Sequence, residues 1–345
     1  MNFLNDFQVS VYSASLTAFF LTLSLCFIIL KLNKNFITKS NSQKRLNNSN
    51  IVPLGGVAMA ISFFISVRLL GEADSDIVSL SIFALAISIL GFIDDFLNLN
   101  WKMKIFFQFI FVSFPIFFLN QTINFEIFIG LNFSGRLNFI LTILWIIVLM
   151  NSLNFIDNMD GFAAINSSFI CLALTILSFV YSQNYLADLS FILLFTLLGF
   201  TVYNFPPAKL YMGDSGSLFI GFIFGFISIL FDWNPSGESY LYGSIAPIFL
   251  FFTIPLLDFS TVFVYRIKNN ISPAIGGTDH ISHRLLNQGN SVKKVLLLIS
   301  FLNVYIFILL GLTIISYSLS IIVFIIYLAT IIALFLKFQK MEPLN

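Results

Sequence analysis

A chain of 345 residues that is 58% hydrophobic and 10% charged, with a mean hydropathy of +0.96, has to be mostly membrane spans of about 20 residues joined by short polar loops, because charge is costly in hydrocarbon. That leaves no room for a separate soluble domain, so residues 1–345 are expected to form one transmembrane domain. The net charge of +1 excludes the concentrated basic face that a nucleic-acid partner needs, and Cys26 and Cys171, both inside apolar runs, exclude a disulfide framework or a cysteine zinc site.

Apolar runs recur near residues 11–30, 51–70, 77–93, 105–119, 137–153, 163–181, 187–203, 217–231, 243–265, 295–313 and 316–336. They predict an all-α polytopic bundle of about eleven transmembrane helices. The first run is long and lacks a basic leader, so it is expected to be an anchor rather than a cleaved signal peptide. With the N-terminus outside and the C-terminus cytoplasmic, all of the 17 basic residues except Arg68 and Arg136 fall on the inner side, as the positive-inside rule requires. Between the fourth and fifth runs, INFEIFIGLNF alternates apolar and polar residues around Gly130, which predicts a small outer β-hairpin.

Acidic residues in the outer loops follow no motif and are accounted for as solvated charge. On the inner side, apart from Glu342, every acid is an aspartate at or near the end of a span: Asp94, Asp95, Asp157, Asp160, Asp214, Asp258 and Asp279. Both histidines, His280 and His283, join them. Such a concentration beside lipid is unfavourable unless cations neutralise it.

In chain order, the first inner loop carries five basic residues between Lys31 and Arg45 before Pro53, Gly55 and Gly56; basic residues here set topology or meet lipid phosphate. Asp94 and Asp95 then end the third span, followed by Lys102 and Lys104. Carboxylates can hold a metal or accept a proton and a lysine can take a phosphate oxygen, although a charged turn with an interfacial lysine has the same composition. In NSLNFIDNMDG, Asn151, Asn154 and Asp157 lie about 60° apart within a helical arc of roughly 120°, before Asn158 and Gly161 break the helix. That arc offers the oxygen ligands that Mg²⁺ prefers, against the simpler reading of a polar loop between spans. In PPAKLYMGDSGS, Pro206 and Pro207 stop one helix and small residues open the next. Asp214 there serves either as a cap or as a metal ligand beside a phosphate at the helix N-terminus. In the last inner loop, Asp258 and Arg266 are expected to form a structural ion pair, while His280, His283 and Arg284 make a group suited to a phosphorylated ligand or a metal.

Together these inner motifs resemble the polyprenyl-phosphate N-acetylhexosamine-1-phosphate transferase superfamily (glycosyltransferase family 4), which includes phospho-N-acetylmuramoyl-pentapeptide transferase and undecaprenyl-phosphate N-acetylglucosamine-1-phosphate transferase. Its DDxxxLxxKxK pattern is met by Asp94, Asp95, Leu99, Lys102 and Lys104. NxxNxxDGxDG is met by Asn151, Asn154, Asp157, Asp160 and Gly161, with Asn158 replacing the first glycine. PAKxxMGDxGS is met from Pro207 to Ser217, and the histidine loop by Asp279, His280, His283, Arg284 and Leu285. Ser282 stands where several members have a further histidine, and Leu54 interrupts the glycine motif before the second span. The resemblance runs from about Pro53 to Leu285.

The resemblance implies transfer of a sugar 1-phosphate from a UDP-N-acetylhexosamine to polyprenyl (undecaprenyl) phosphate with release of UMP. This would be the first membrane step of cell-envelope polysaccharide synthesis, on the cytoplasmic side of a bacterial plasma membrane. It implies Mg²⁺, with Mn²⁺ as the alternative, held by Asn154 and Asp214. Asp94, Asp95 and Asp157 are the implied catalytic carboxylates, and Lys102, Asn151, Asp160, His280, His283 and Arg284 the implied substrate contacts, with Asp157 and Asp160 near the nucleotide. Expected partners are the UDP-sugar, the lipid acceptor and membrane lipids, with a homodimer left open. Two rival classes fit less of the chain. A Mg²⁺-dependent membrane prenyltransferase would leave DDxxxLxxKxK and GDSGS unused, and an ion-coupled transporter should place acids at mid-membrane and show repeat symmetry.

Overall fold

The computed structural model describes residues 2–32, 51–70, 75–120, 122, 134–233, 248–315 and 317–344. In chain order its helices are α1 (Asn2–Leu32), α2 (Gly55–Arg68), α3 (Ser75–Leu97), α4 (Trp101–Leu119), α5 (Gly135–Ile156), α6 (Phe162–Val180), α7 (Asn184–Asn204), α8 (Gly213–Leu230), α9 (Thr253–Lys268), α10 (Ile281–Asn287), α11 (Val292–Ile315) and α12 (Tyr317–Lys340). All except α10 correspond one to one with the expected apolar runs. Among the described residues, nine of them are long and apolar enough to cross a membrane.

The two exceptions are short. Helix α2 has 14 residues and α9 has 16, spanning about 21 and 24 Å where a hydrocarbon core is about 30 Å thick. A helical stretch over 248–251 precedes α9, from which the turn at Phe252 separates it. There is no strand among the described residues. The expected outer hairpin at 123–133, the basic residues Lys34, Lys39, Lys44 and Arg45, and the start of the ninth run lie outside them.

Helix α8 is the centre of the bundle, packed against α2, α3 and α5, and every residue from Ser215 to Ser228 is buried. In a bilayer the backbone groups must be satisfied within each helix, and close packing rather than hydrophobicity holds helices together, so small residues gather where backbones approach. At Gly56 an added Cβ would stand 2.0 Å from the Gly216 nitrogen, and at Gly221 2.4 Å from the Met150 Cα. Around this centre α7 pairs with α1 and α6, and α11 with α6 and α12. Buried amides reinforce the packing, as where Asn303 Nδ2 donates to Asn166 Oδ1 at 3.2 Å between α11 and α6. The outer helices turn bulky apolar residues such as Phe20, Phe301, Ile325 and Ile332 outward, as a lipid-facing surface requires.

Helix termini carry the motifs to one end of the bundle. The starts of α2, α4, α6, α8 and α11 meet the ends of α3, α5, α7, α9 and α12 there, through contacts such as Gly55 N to Tyr211 O at 3.0 Å and Gly161 N to Asn204 Oδ1 at 3.0 Å. Alternate crossing by successive helices produces this arrangement.

Candidate active site

The start of α8 is built first, because other groups are arranged upon it. The preceding loop is tied to α2 and the residues before it by Tyr211 N to Val52 O at 3.1 Å and Gly56 N to Met212 O at 2.9 Å. Gly213 follows at φ +72, where a Cβ would stand 2.5 Å from Asp95 Oδ2 and 2.7 Å from the Pro53 carbonyl oxygen, so glycine is required on both counts. The first backbone N–H groups of a helix lack intrahelical acceptors. Here the carboxylate of Asp95, on α3, supplies them: Oδ1 accepts from Asp214 N at 2.9 Å and Oδ2 from Ser215 N at 3.2 Å. The cap that the sequence offered to Asp214 itself is thus provided by Asp95, and Asp214 sits in the first turn of α8.

Asp94 points elsewhere. Its Oδ1 accepts from Leu99 N at 2.9 Å, bracing the α3–α4 turn, and its Oδ2 lies 2.9 Å from Lys104 Nζ. The same ammonium contacts Asp214 Oδ2, so one lysine is shared by two carboxylates. Asn100 caps α4 by accepting from Lys102 N at 3.1 Å. Lys102 and Lys104 project about 200° apart on that helix, so only one can face α8. It is Lys104; Lys102 is exposed, with Nζ 5.7 Å from the Trp101 ring.

Helix α5 brings up the asparagines. Asn154 Nδ2 donates to Asp214 Oδ1 at 2.6 Å and to Ser217 Oγ at 2.9 Å. One turn earlier, Asn151 Nδ2 donates to Gln108 Oε1 at 2.8 Å. The helix ends at Ile156 with Asp157 as its C-cap, and the expected arc of Asn151, Asn154 and Asp157 lines one cavity. Asp160 does not join it. Its Oδ2 accepts from Ala208 N at 2.9 Å, holding the turn to the loop before α8.

The last inner loop departs most from expectation. Asp258 and Arg266, eight residues apart on α9, are separated by about 12 Å along the helix axis and do not pair. Each takes a partner from the returning loop instead. Asp258 Oδ2 holds His280 Nδ1 at 2.8 Å and its Oδ1 accepts from Ile281 N at 2.7 Å. Arg266 grips Asp279 through two 2.7 Å hydrogen bonds, from Nε and Nη2, while its Nη1 donates to the carbonyls of Pro273 and Ile275. Burial pushes the Asp279 carboxyl up, but the Arg266 hydrogen bonds and charge together hold it below its ordinary range.

His280 lines the cavity; His283 and Arg284 do not. His283 is fully buried, and neither ring nitrogen makes a hydrogen bond of ordinary geometry among the described residues, although the Asn158 backbone lies close enough to favour the charged form slightly. Burial, reinforced by neighbouring His280, pushes its pKa down to about 4. Arg284 is fully buried too, 4.6 Å over the Tyr265 ring, and burial pulls its pKa down. Two of the three departures from the family pattern meet, since the Ser282 hydroxyl donates to Asn158 Oδ1.

The cavity measures about 480 Å³, within the range of small-ligand sites. Its polar lining includes Lys104, Asn154, Asp157, Asp214, Arg266 and His280. Trp101, Ile105, Ile147, Val148, Phe259 and Phe263 give it an apolar wall between α4, α5 and α9. Residues 272–277 close another side. Sequence reasoning assigned Arg266 only a structural pairing with Asp258 and did not mark Gln108 or residues 272–277 as part of the site. The only cue was the pairing of an end-of-span arginine with an aspartate beyond a Pro/Gly loop.

Among the described residues no three His, Cys, Asp or Glu side chains cluster as a metal cage. The cavity does hold carboxylate and amide oxygens, on Asn151, Asn154, Asp157 and Asp214. That all-oxygen chemistry suits Mg²⁺, which takes few protein ligands and keeps water.

Residues 77–232 match the model of the family described as "Glycosyl transferase family 4". The chain is 28% identical over 293 residues to a Bacillus subtilis protein named as a probable undecaprenyl-phosphate N-acetylglucosaminyl 1-phosphate transferase, covering 82% of this chain and 80% of that one. It is 30% identical over 216 residues to a Staphylococcus aureus phospho-N-acetylmuramoyl-pentapeptide-transferase, covering 57% of this chain and 67% of that one. To a Mycolicibacterium smegmatis decaprenyl-phosphate N-acetylglucosaminephosphotransferase it is 31% identical over 175 residues, 46% of this chain and 43% of that one.

Proposed function

The chain belongs to glycosyl transferase family 4, and from that premise we infer that it transfers an N-acetylhexosamine 1-phosphate from a nucleotide sugar to a polyprenyl phosphate. The donor is proposed to be a UDP-sugar and the acceptor undecaprenyl phosphate, in the first membrane step of envelope glycan synthesis. The observation that carries this reading is a cavity lined both by cationic and anionic side chains and by apolar residues of α4, α5 and α9. A charged donor and a lipid-borne phosphate need that combination.

In the proposed reaction an oxygen of the lipid phosphate attacks the sugar-bearing phosphorus of the donor. The bond from that phosphorus to the oxygen leading to the uridine phosphate breaks, UMP departs with the electron pair, and a polyprenyl diphospho-sugar remains. The second ionisation of a phosphate monoester lies near 6, so the attacking group is mostly deprotonated at neutral pH and needs little help from a base. What the protein must provide is alignment and charge neutralisation. Lys104 and Arg266 are assigned to the phosphates, and His280, oriented by Asp258, to the donor. Asp157 is assigned to orienting the reacting groups. Asp94 acts by holding Lys104 and Asp95 by holding the start of α8, while Asp160 secures the adjoining loop. Asp214 and Asn154 would hold Mg²⁺, whose positive charge, when bound, stabilises charge spreading over the transferring phosphoryl group.

The distribution of basic residues supports placing this end of the bundle in the cytoplasm of a bacterial cell, with the chain multi-pass in the inner membrane. Purified protein supplied with polyprenyl phosphate, Mg²⁺ and a panel of UDP-sugars should release UMP and form a lipid-linked sugar with one N-acetylhexosamine donor, and chelation should stop it. Absence of both products with every donor would refute the assignment.

A further inference from the structure

The last turn of α12 and the segment that follows it pack against the loop carrying the histidines. Arg284 Nη1 donates to the backbone carbonyls of Phe338, at 3.0 Å, and Met341, while its Nε donates to the Asp279 carbonyl at 2.8 Å. The Thr278 hydroxyl donates to Leu344 O at 2.6 Å, and Thr278 O accepts from Leu344 N at 3.3 Å. Asn287 Nδ2 reaches Pro343 O at 3.0 Å, and Gln339 Nε2 reaches Thr261 O, on α9, at 2.8 Å.

On the other side of the same loop Asp279 holds Arg266, whose remaining hydrogen bonds shape the cavity wall at Pro273 and Ile275. Space there is tight. A Cβ at Gly277 would stand 2.7 Å from Asp279 Oδ1 and 3.1 Å from Arg266 Nη2, so the loop has little room to resettle if Asp279 moves.

We propose that residues 338–344 form a strap, anchored by Arg284, that positions the Thr278–Asp279 turn and through it Arg266 and the 273–277 wall of the cavity. Arg284 is then a positioning residue for donor binding and not a ligand of the donor. Its burial as a cation is offset by the carbonyls that Nε and Nη1 reach and by the Tyr265 ring under its face, while Nη2 makes no hydrogen bond among the described residues. Only a guanidinium has the planar fork to serve Asp279, Phe338 and Met341 together; a lysine has one nitrogen at the end of a flexible stem. The strap rests on contacts alone. Its effect on donor binding rests also on the proposed function of the cavity.

The test compares the full chain with Arg284→Lys, with deletion of residues 341–345, and with the milder Thr278→Val, all in detergent or nanodiscs. Backbone hydrogen exchange over residues 273–280 should rise at least tenfold in Arg284→Lys and in the deletion, and measurably in Thr278→Val, while α8 stays protected. The KM for the UDP-sugar should rise fivefold or more with the KM for polyprenyl phosphate within twofold. Unchanged exchange in all three variants refutes the strap. Faster exchange with unchanged donor KM, or with an equal rise in lipid KM, refutes the coupling to donor binding. If the full chain turns over no UDP-sugar, the functional reading fails and the coupling with it, whereas the exchange comparison still decides the strap.

Discussion

Replacing Asp95 by asparagine separates a carboxylate that does chemistry from one that holds another residue in place. In the structure Asp95 accepts from two backbone N–H groups of α8, those of Asp214 and Ser215. Asparagine keeps one accepting oxygen, loses the charge that complements the helix N-terminus, and turns an NH₂ towards a backbone donor. Loss of an N-cap costs about 0.5–2 kcal/mol and a hydrogen bond to a charged group contributes about 1.5–3 kcal/mol. With one of two bonds retained, a net loss of about 1–3 kcal/mol is expected. If all of it appears as misplacement of Asp214, the rate falls about five- to 150-fold, and the melting temperature in detergent drops by several degrees. Steady-state kinetics with each substrate varied should show kcat and kcat/KM falling together. Loss of more than about 10⁴-fold in kcat with an unchanged melting temperature would refute the capping role, because a displaced helix start cannot cost that much without costing stability.

Lys104→Met should lower turnover at least a hundredfold, because it leaves Asp94 and Asp214 without their shared cation, whereas Lys102→Met should stay within about threefold; similar losses in both would contradict the placement of the two lysines. For His283 the folded pKa of about 4 lies below the ordinary 6.5, so between these values the unfolded chain binds the extra proton. Stability from the neutral ring is therefore complete above about pH 6.5 and is lost as pH falls towards 4, up to about 3 kcal/mol. Melting temperatures measured from pH 7 to 4.5 should fall less steeply in His283→Gln than in the unaltered chain, and parallel curves would refute the burial of an unprotonated ring. A single cysteine placed at exposed Asn287 should react with a membrane-impermeant reagent only from the cytoplasmic side, above a low background from buried Cys26 and Cys171; labelling from the outside would overturn the proposed orientation.

The local pattern of the chain determines much of the architecture. A run of apolar residues must become a helix because only a helix satisfies its own backbone in hydrocarbon. The eleven runs accordingly reappear as helices, and the motifs follow to one end of the bundle by alternation. The spacing of Asn151, Asn154 and Asp157 likewise places them on one arc, since 3.6 residues per turn is a property of the helix alone. Which polar groups meet across that end is another kind of question. Lys102 and Lys104 have the same chemistry, and nothing near them in the chain says which faces Asp214, 110 residues away. Asp95 could have been a base until the start of α8 came to lie against it, 119 residues on. Arg266 and Asp258 looked like partners by helical phase, yet the loop returning from α9 offered each a nearer one. Arg284 reads in the sequence as a phosphate contact, yet it lies outside the cavity lining and donates to Phe338 at the end of α12 and to Met341 beyond it. Hydrophobicity and periodicity act residue by residue and are legible in order. Hydrogen-bond and charge pairings depend on which helix ends the packing brings within about 3 Å, and only the tertiary structure decides that.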